Sequence, residues 1–336
     1  MRTSLLKNYF LFFVMMTILP QANYCLPDDQ TTVRVLVINF DPLIPQKGNQ
    51  PLHIALNWKD PHKLSDGYIE AIKEVSDGYI NYKIVEWLDT DAFPVKVDGF
   101  TYTPESFVNN WEKKDGWHQP DGVDYEKLVV DYKVVDRINK NEIDELWIFG
   151  APYMGFWESA MAGPGAFYIN GGVYDSVKVD HPFVIMGFSY ERGVAEMLHD
   201  LSHRTESTMA RIYGGWEIDK LTTNWAKFAA NEFQSKSTAA VGTCHYPPNG
   251  EKDYDYKNPR VVESNADEYL DYPNIKGITK KVSCETWGGP DYHLNYMKWW
   301  FTRIPKAAGI NEDGRLNNWW EYIFNFNSYT EDGKAK

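Results

Sequence analysis

Apolar and polar positions along the chain fall into alternating strand-like and helix-like stretches. Residues 33–40, VRVLVINF, form an unbroken β-branched run, the pattern of a strand covered on both faces. Residues 65–76 read as a helix with Ser65 as N-cap, and residues 79–87 alternate as a second strand. A helix is expected over 104–114, starting at Pro104. Another is expected over 124–139, where Leu128, Val129, Tyr132, Val135 and Ile138 share one face. Strands follow at 146–149 and 183–188, then the longest helical stretch, 190–210. Strands alternating with helices predict an α/β fold, a mostly parallel sheet flanked by helices. Right-handed crossovers then gather the loops at Asp41-Pro42, 89–91, 150–172 and 189–191 on one sheet edge. Open α/β sheets bind their ligands at that edge.

Beyond residue 214 the texture changes. A helix is expected over 219–233, but residues 242–295 are irregular, rich in Asn, Pro, Gly, Tyr and Asp, and the end is Trp-heavy. The expected organisation is a signal peptide over 1–25, an α/β domain over 26–214, and an irregular Trp/Tyr-rich C-terminal cap over 215–336, packed on the α/β domain. The signal reading rests on Arg2 and Lys7 ahead of the apolar run Tyr9–Leu19, too short to span a bilayer. It implies a secreted, extracellular protein without stable membrane insertion. Of three cysteines, Cys25 sits at the expected cleavage region, leaving Cys244 and Cys284. In an exported protein two cysteines are expected to pair. That bridge would be worth roughly 3–4 kcal/mol in the chain-entropy model.

Net charge is −13, from 34 Lys+Arg against 47 Asp+Glu, which excludes nucleic acid and an anionic membrane face as partners. Aromatic residues make up 15% of the chain, a high share whose first expectation is a large core, with an aromatic-lined cleft for a carbohydrate or a peptide as the sharper alternative.

Candidate chemistry concentrates on residues 191–206. At 100° per residue, Glu196, His199, His203 and Glu206 fall within a sector of roughly 80°, with Asp200 beside it. Two imidazoles at i and i+4 can hold one divalent metal, zinc above all, each His oriented by a nearby carboxylate. Asp200 or Glu196 would act as base toward a metal-bound water. The stretch His199-Asp200-Leu-Ser-His203 resembles the zincin metallopeptidase motif H-E-x-x-H, with Asp where those enzymes carry Glu. The shorter Asp would stand about one methylene further from the water. Met209 replaces the third histidine of the metzincin pattern, so that branch does not fit. Glu206, Glu232 and Glu217 are the candidates for completing the shell.

The Gly-rich loop 150–165 contributes Tyr153, Trp157 and Glu158 as candidate substrate contacts, joined by Glu191 and by His245, which could also serve as a further ligand or acid. His293 has a similar loop setting. Walker, dinucleotide and G-x-S-x-G signatures are absent from the sequence. Over most of its length the chain resembles exported proteins of unassigned function, through 144–153, 157–165 and 187–193. That resemblance implies no reaction. The expectation is a secreted metal-dependent hydrolase with an extracellular peptide or glycan-linked substrate. The alternatives are a metal-free glycan-binding protein or glycosidase using a carboxylate pair such as Glu158 with Glu191 or Glu196, and a non-catalytic exported structural or interaction protein.

Overall fold

The structure is a computed structural model that describes residues 30–217 and 219–336. The expected signal segment and Cys25 lie outside the described residues.

The central strands are β1 (Thr31–Phe40), β2 (Ile80–Thr90), β3 (Glu145–Gly150), β4 (Ser159–Ala162), β5 (Val173–Tyr174) and β6 (Phe183–Ser189). They form one six-stranded sheet in the order β2-β1-β3-β6-β4-β5. β2, β1, β3 and β6 run parallel, and β4 is antiparallel to β6. The fold is therefore α/β with a mostly parallel sheet. β1, β3 and β6 are almost wholly buried, as continuous apolar runs require.

Helices cover both faces. On one, Tyr68 of α1 (Pro61–Val75) meets Trp147 of β3 and Phe188 of β6 at 5.2 and 5.3 Å between ring centroids. On the other, Tyr132 and Phe156 pack on Phe40 at 5.8 and 5.6 Å. α1 begins earlier than expected: Asp60, not Ser65, caps it by accepting from the backbone N–H groups of His62 and Lys63. α2 (Pro104–Lys113) follows the expected bounds. The helix expected over 124–139 is two, α3 (Tyr125–Asp131) and α4 (Val134–Asn139), because Lys133 between them takes the left-handed conformation, φ 55°.

α5 (Val194–Tyr213) lies over the α1 face. Its buried Arg204 donates to Glu145 of β3 at 2.7 Å and to the carbonyl of Ile323. The helix is thereby tied to the sheet and to α7 (Trp319–Phe324) at once. Residues beyond 214 pack on α5 and α1 through α6 (Tyr292–Thr302) and α7. Among them the helix expected over 219–233 reduces to two short turns at Asn224–Phe228 and Glu232–Ser235. Trp147, Trp225, Trp300, Trp319 and Trp320 are fully buried, so much of the aromatic excess is core. No helix of the described residues is long and apolar enough to cross a membrane.

Candidate metal centre

α5 starts from Gly193, whose backbone N–H donates to Glu196 Oε2, and ends at Gly214 with φ 79°. Met197, Leu198, Leu201, Met209 and Ile212 bury its apolar side. His199 and His203 therefore project from successive turns on the remaining face, ring centroids 4.6 Å apart.

A second segment meets them. Residues 242–246 lack regular structure, yet three successive carbonyls are each claimed by a buried aromatic donor. Trp300 Nε1 donates to Gly242 O at 3.0 Å, the Tyr296 hydroxyl to Thr243 O at 2.7 Å, and the Tyr256 hydroxyl to Cys244 O at 2.6 Å. Gly242 (φ 85°) is required, since a Cβ there would lie 2.4 Å from Tyr246 O. Pinned this way, the loop presents Cys244 and His245 to α5. His245 Nε2 lies 3.2 Å from His203 Nε2, and Cys244 Sγ lies 3.6 Å from His203 Nδ1. One ligand atom from each of His199, His203, Cys244 and His245 falls within 4.8 Å of all the others, so the group could hold a metal ion. Its N/S donor set is one that zinc accepts.

The surroundings keep these donors in ligand form. Burial, reinforced by the neighbouring histidines, holds His199 down to about 2 and His203 down to about 4. Both imidazoles are neutral at physiological pH, as ligation requires. His245 is lowered by burial, against the pull of Asp253. The Cys244 thiol is raised well above its ordinary value, by burial first and by Glu206 next. Glu206 accepts from the Cys244 backbone N–H at 2.8 Å and from its Sγ at 3.1 Å, and burial pushes its carboxyl up to about 7. A buried thiolate and a carboxylate this close cannot both ionise, so a proton displaced from sulfur by a cation has Glu206 to receive it.

Two further aromatic and imidazole groups close in. Tyr254, 55% exposed and in the left-handed conformation, holds its ring 4.6 Å from His245 and 5.5 Å from His199. His293 stacks on Tyr256 at 4.7 Å, and its Nδ1 lies 3.9 Å from Glu196. Its buried Nε2 has no partner among the described residues.

Beside the cluster, at the carboxyl ends of β3 and β6, a cleft of about 270 Å³ is lined by Tyr153, Glu158, Arg192, Glu196 and Asp200. Glu158 links the two spaces: it lines the cleft, and its Oε2 lies 3.7 Å from His203 Nε2. Asp200 is buried and raised well above the ordinary carboxylate range, by burial first and then by Glu158 and Glu196. Arg192 is engaged by Glu191 at 3.2 Å and Glu196 at 3.9 Å.

Several expectations need correction. Cys244 and Cys284 form no disulfide: both thiols are free and buried, Cys244 against Glu206 and His203, Cys284 beside Glu285. Cys244 is instead a candidate ligand. The signal available in the sequence was its adjacency to His245, two donors on one turn. Glu232 does not complete the shell, because its carboxylate pairs with Arg260. Glu206 stands behind Cys244 rather than among the four grouped donors. Of the two roles expected for His245, substrate contact and further ligand or acid, its place in the donor group fits the ligand. Glu191 and Trp157 do not line the cleft, whereas Tyr153 and Glu158 do. The Trp157 ring donates to the Tyr174 hydroxyl at 3.2 Å.

No family model matches the chain, and no curated protein matches it. A solved structure of a chaperone–substrate complex aligns with 53% of this chain and 24% of its own, at 9% identity and a TM-score of 0.25. The chain thus spans about a quarter of that protein's length, and a likeness at this level carries no argument about fold or function.

Proposed function

We propose that His199, His203, Cys244 and His245 bind one zinc ion and that the protein is a secreted metal-dependent hydrolase. The observation that carries this reading is the four-donor group placed directly beside an acid-lined cleft at the ligand-binding edge of the sheet. The ion would supply Lewis acidity and an activated water. Glu158, at the junction of cluster and cleft, is the base that would take the water's proton, in place of Asp200. Asp200 and Glu196 would contact the substrate from the cleft wall.

A second reading has its own support. Four protein donors can close a zinc shell entirely, which is the structural form of such sites. The centre would then staple the irregular loop to α5, with no reaction. One experiment separates the two. Zinc-loaded protein is assayed on peptide and glycan-linked substrates beside its Glu158→Gln variant. Hydrolysis that chelator abolishes, and that E158Q lowers at least about 100-fold with zinc still bound, supports the hydrolase. Zinc-dependent stability without zinc-dependent turnover on any substrate supports the structural reading.

A further inference from the structure

The cleft has one wall whose construction the metal chemistry does not need. Tyr153, in the loop after β3, is 41% exposed at the cleft, although it is a large aromatic residue. Its backbone is in the left-handed region, φ 65°, which a bulky residue takes only when its surroundings impose it. The imposing group is Lys96. That side chain is fully buried and donates to Tyr153 O at 2.7 Å and to Asp121 O at 3.0 Å, with its ammonium also on the Asp121 carboxylate. Gly155 lets the two segments close, since a Cβ there would lie 1.7 Å from Asp121 O. Trp117 then lies flat against the Tyr153 ring, centroids 3.8 Å apart and planes at 9°. One face of Tyr153 is covered, so its exposure is on the opposite face and edge. A buried lysine, a strained residue and a stacked tryptophan together fix one flat ring at the cleft mouth.

We propose that Tyr153, backed by Trp117, is the stacking platform for a neutral pyranose ring, and that the cleft's substrate is a glycan. This rests on the reading of the cleft as the substrate site of the metal centre. A pyranose offers an apolar C–H face to an aromatic ring and hydroxyls around its edge. Glu158 and Glu196 line the same cleft as hydroxyl acceptors, and Asp200 lines it as a buried carboxyl. An anionic sugar is disfavoured by these carboxylates, because the one arginine present is already engaged by Glu191 and Glu196. An extended peptide is disfavoured by topology. The cleft opens at the ends of the inner strands β3 and β6, whereas the sheet edges are β2 and β5, so no unpaired strand lies there for a peptide to extend. The volume, about 270 Å³, suits one small ring rather than a drug-sized ligand.

The test is calorimetric binding of the full mature chain to neutral oligosaccharides (gluco-, manno-, xylo- and chito-series), with and without chelator, beside Lys- and Arg-containing peptides. The expected result is binding of at least one oligosaccharide series. Tyr153→Ala should weaken it about tenfold, and Tyr153→Phe should leave it within about twofold. Trp117→Phe, checked for an unchanged circular dichroism spectrum, should weaken it less than Y153A. No oligosaccharide bound, binding untouched by Y153A, or peptide binding that Y153A removes would each overturn the proposal. Metal content is read separately on the same samples. Zinc present without sugar binding therefore defeats the platform alone, and sugar bound by metal-free protein leaves the platform standing without the centre.

Discussion

At the scale of single residues, the centre is decided by two imidazoles on one helix and a Cys-His pair brought to them from far along the chain. His199 and His203 were legible in the sequence because helical periodicity is local arithmetic. Cys244 was not, because pairing cysteines by compartment says nothing about where their sulfur atoms stand. Replacing Cys244 by Ser should lower zinc affinity at least about 100-fold, beyond the 10–100-fold typical of partners behind the ligands. A competition titration with a chromophoric chelator reads this.

The same residue sets the pH dependence. His199 and His203, held down to about 2 and about 4, have no proton to shed near neutrality. The Cys244 thiol, raised by burial, must lose one. Zinc affinity should therefore rise with pH about tenfold per unit below about 7, where Glu206 already holds its own proton and the thiol's goes to solvent, and level off above that, where Glu206 receives it. Calorimetry in buffers of different ionisation enthalpy counts that proton, and C244S should flatten the slope.

For the metal-free protein the linkage has a definite sign. A histidine at 6.5 in the unfolded chain but about 2 or 4 in the fold leaves the unfolded state binding more protons below pH 6.5. Each such histidine removes stability as pH falls from 6.5, down to about 4 for His203 and about 2 for His199. Denaturant melts of metal-free His199→Gln should lose less stability on acidification from pH 6.5 than the parent does.

At the scale of elements, the loop carrying Cys244 and His245 is held by aromatic donors rather than by secondary structure. Removing the Tyr296 hydroxyl by Tyr296→Phe leaves the buried Thr243 carbonyl without that donor. The expected cost is about 1–3 kcal/mol in a denaturant melt, with weaker zinc binding, because the ligand-bearing turn loosens. The sequence showed this region as irregular and aromatic but could not show its purpose: two of the three donors, Tyr296 and Trp300, sit more than fifty residues from their carbonyls, and neither propensity nor periodicity encodes which donor meets which carbonyl. The central strands were legible because a buried parallel strand is a continuous apolar run. β4 and β5 escaped notice because they are short and their residues are small or half-exposed.

At the scale of the molecule, α5 joins the sheet, the cap and the candidate centre. Its buried Arg204–Glu145 pair, at 2.7 Å, should be intolerant of truncation. Arg204→Ala strands a buried carboxylate and should cost about 3–5 kcal/mol, whereas replacing both partners by apolar residues of similar volume should cost far less. Thermal melts of the single and double variants check this. A zinc ion joining α5 to the loop should further stabilise the whole fold, by about 2.7 kcal/mol at a free concentration a hundred times its dissociation constant.

Both readings of the centre, catalytic and structural, depend on one ion held by these four side chains. Zinc K-edge absorption spectroscopy on stoichiometrically loaded protein tests that directly. The account predicts one tightly held zinc per chain, with imidazole nitrogens at about 2.0–2.1 Å and one sulfur at about 2.3 Å, the sulfur signal vanishing in C244S. A protein that takes up no metal, or a shell without sulfur that persists when His199 and His203 are both replaced by alanine, would contradict it.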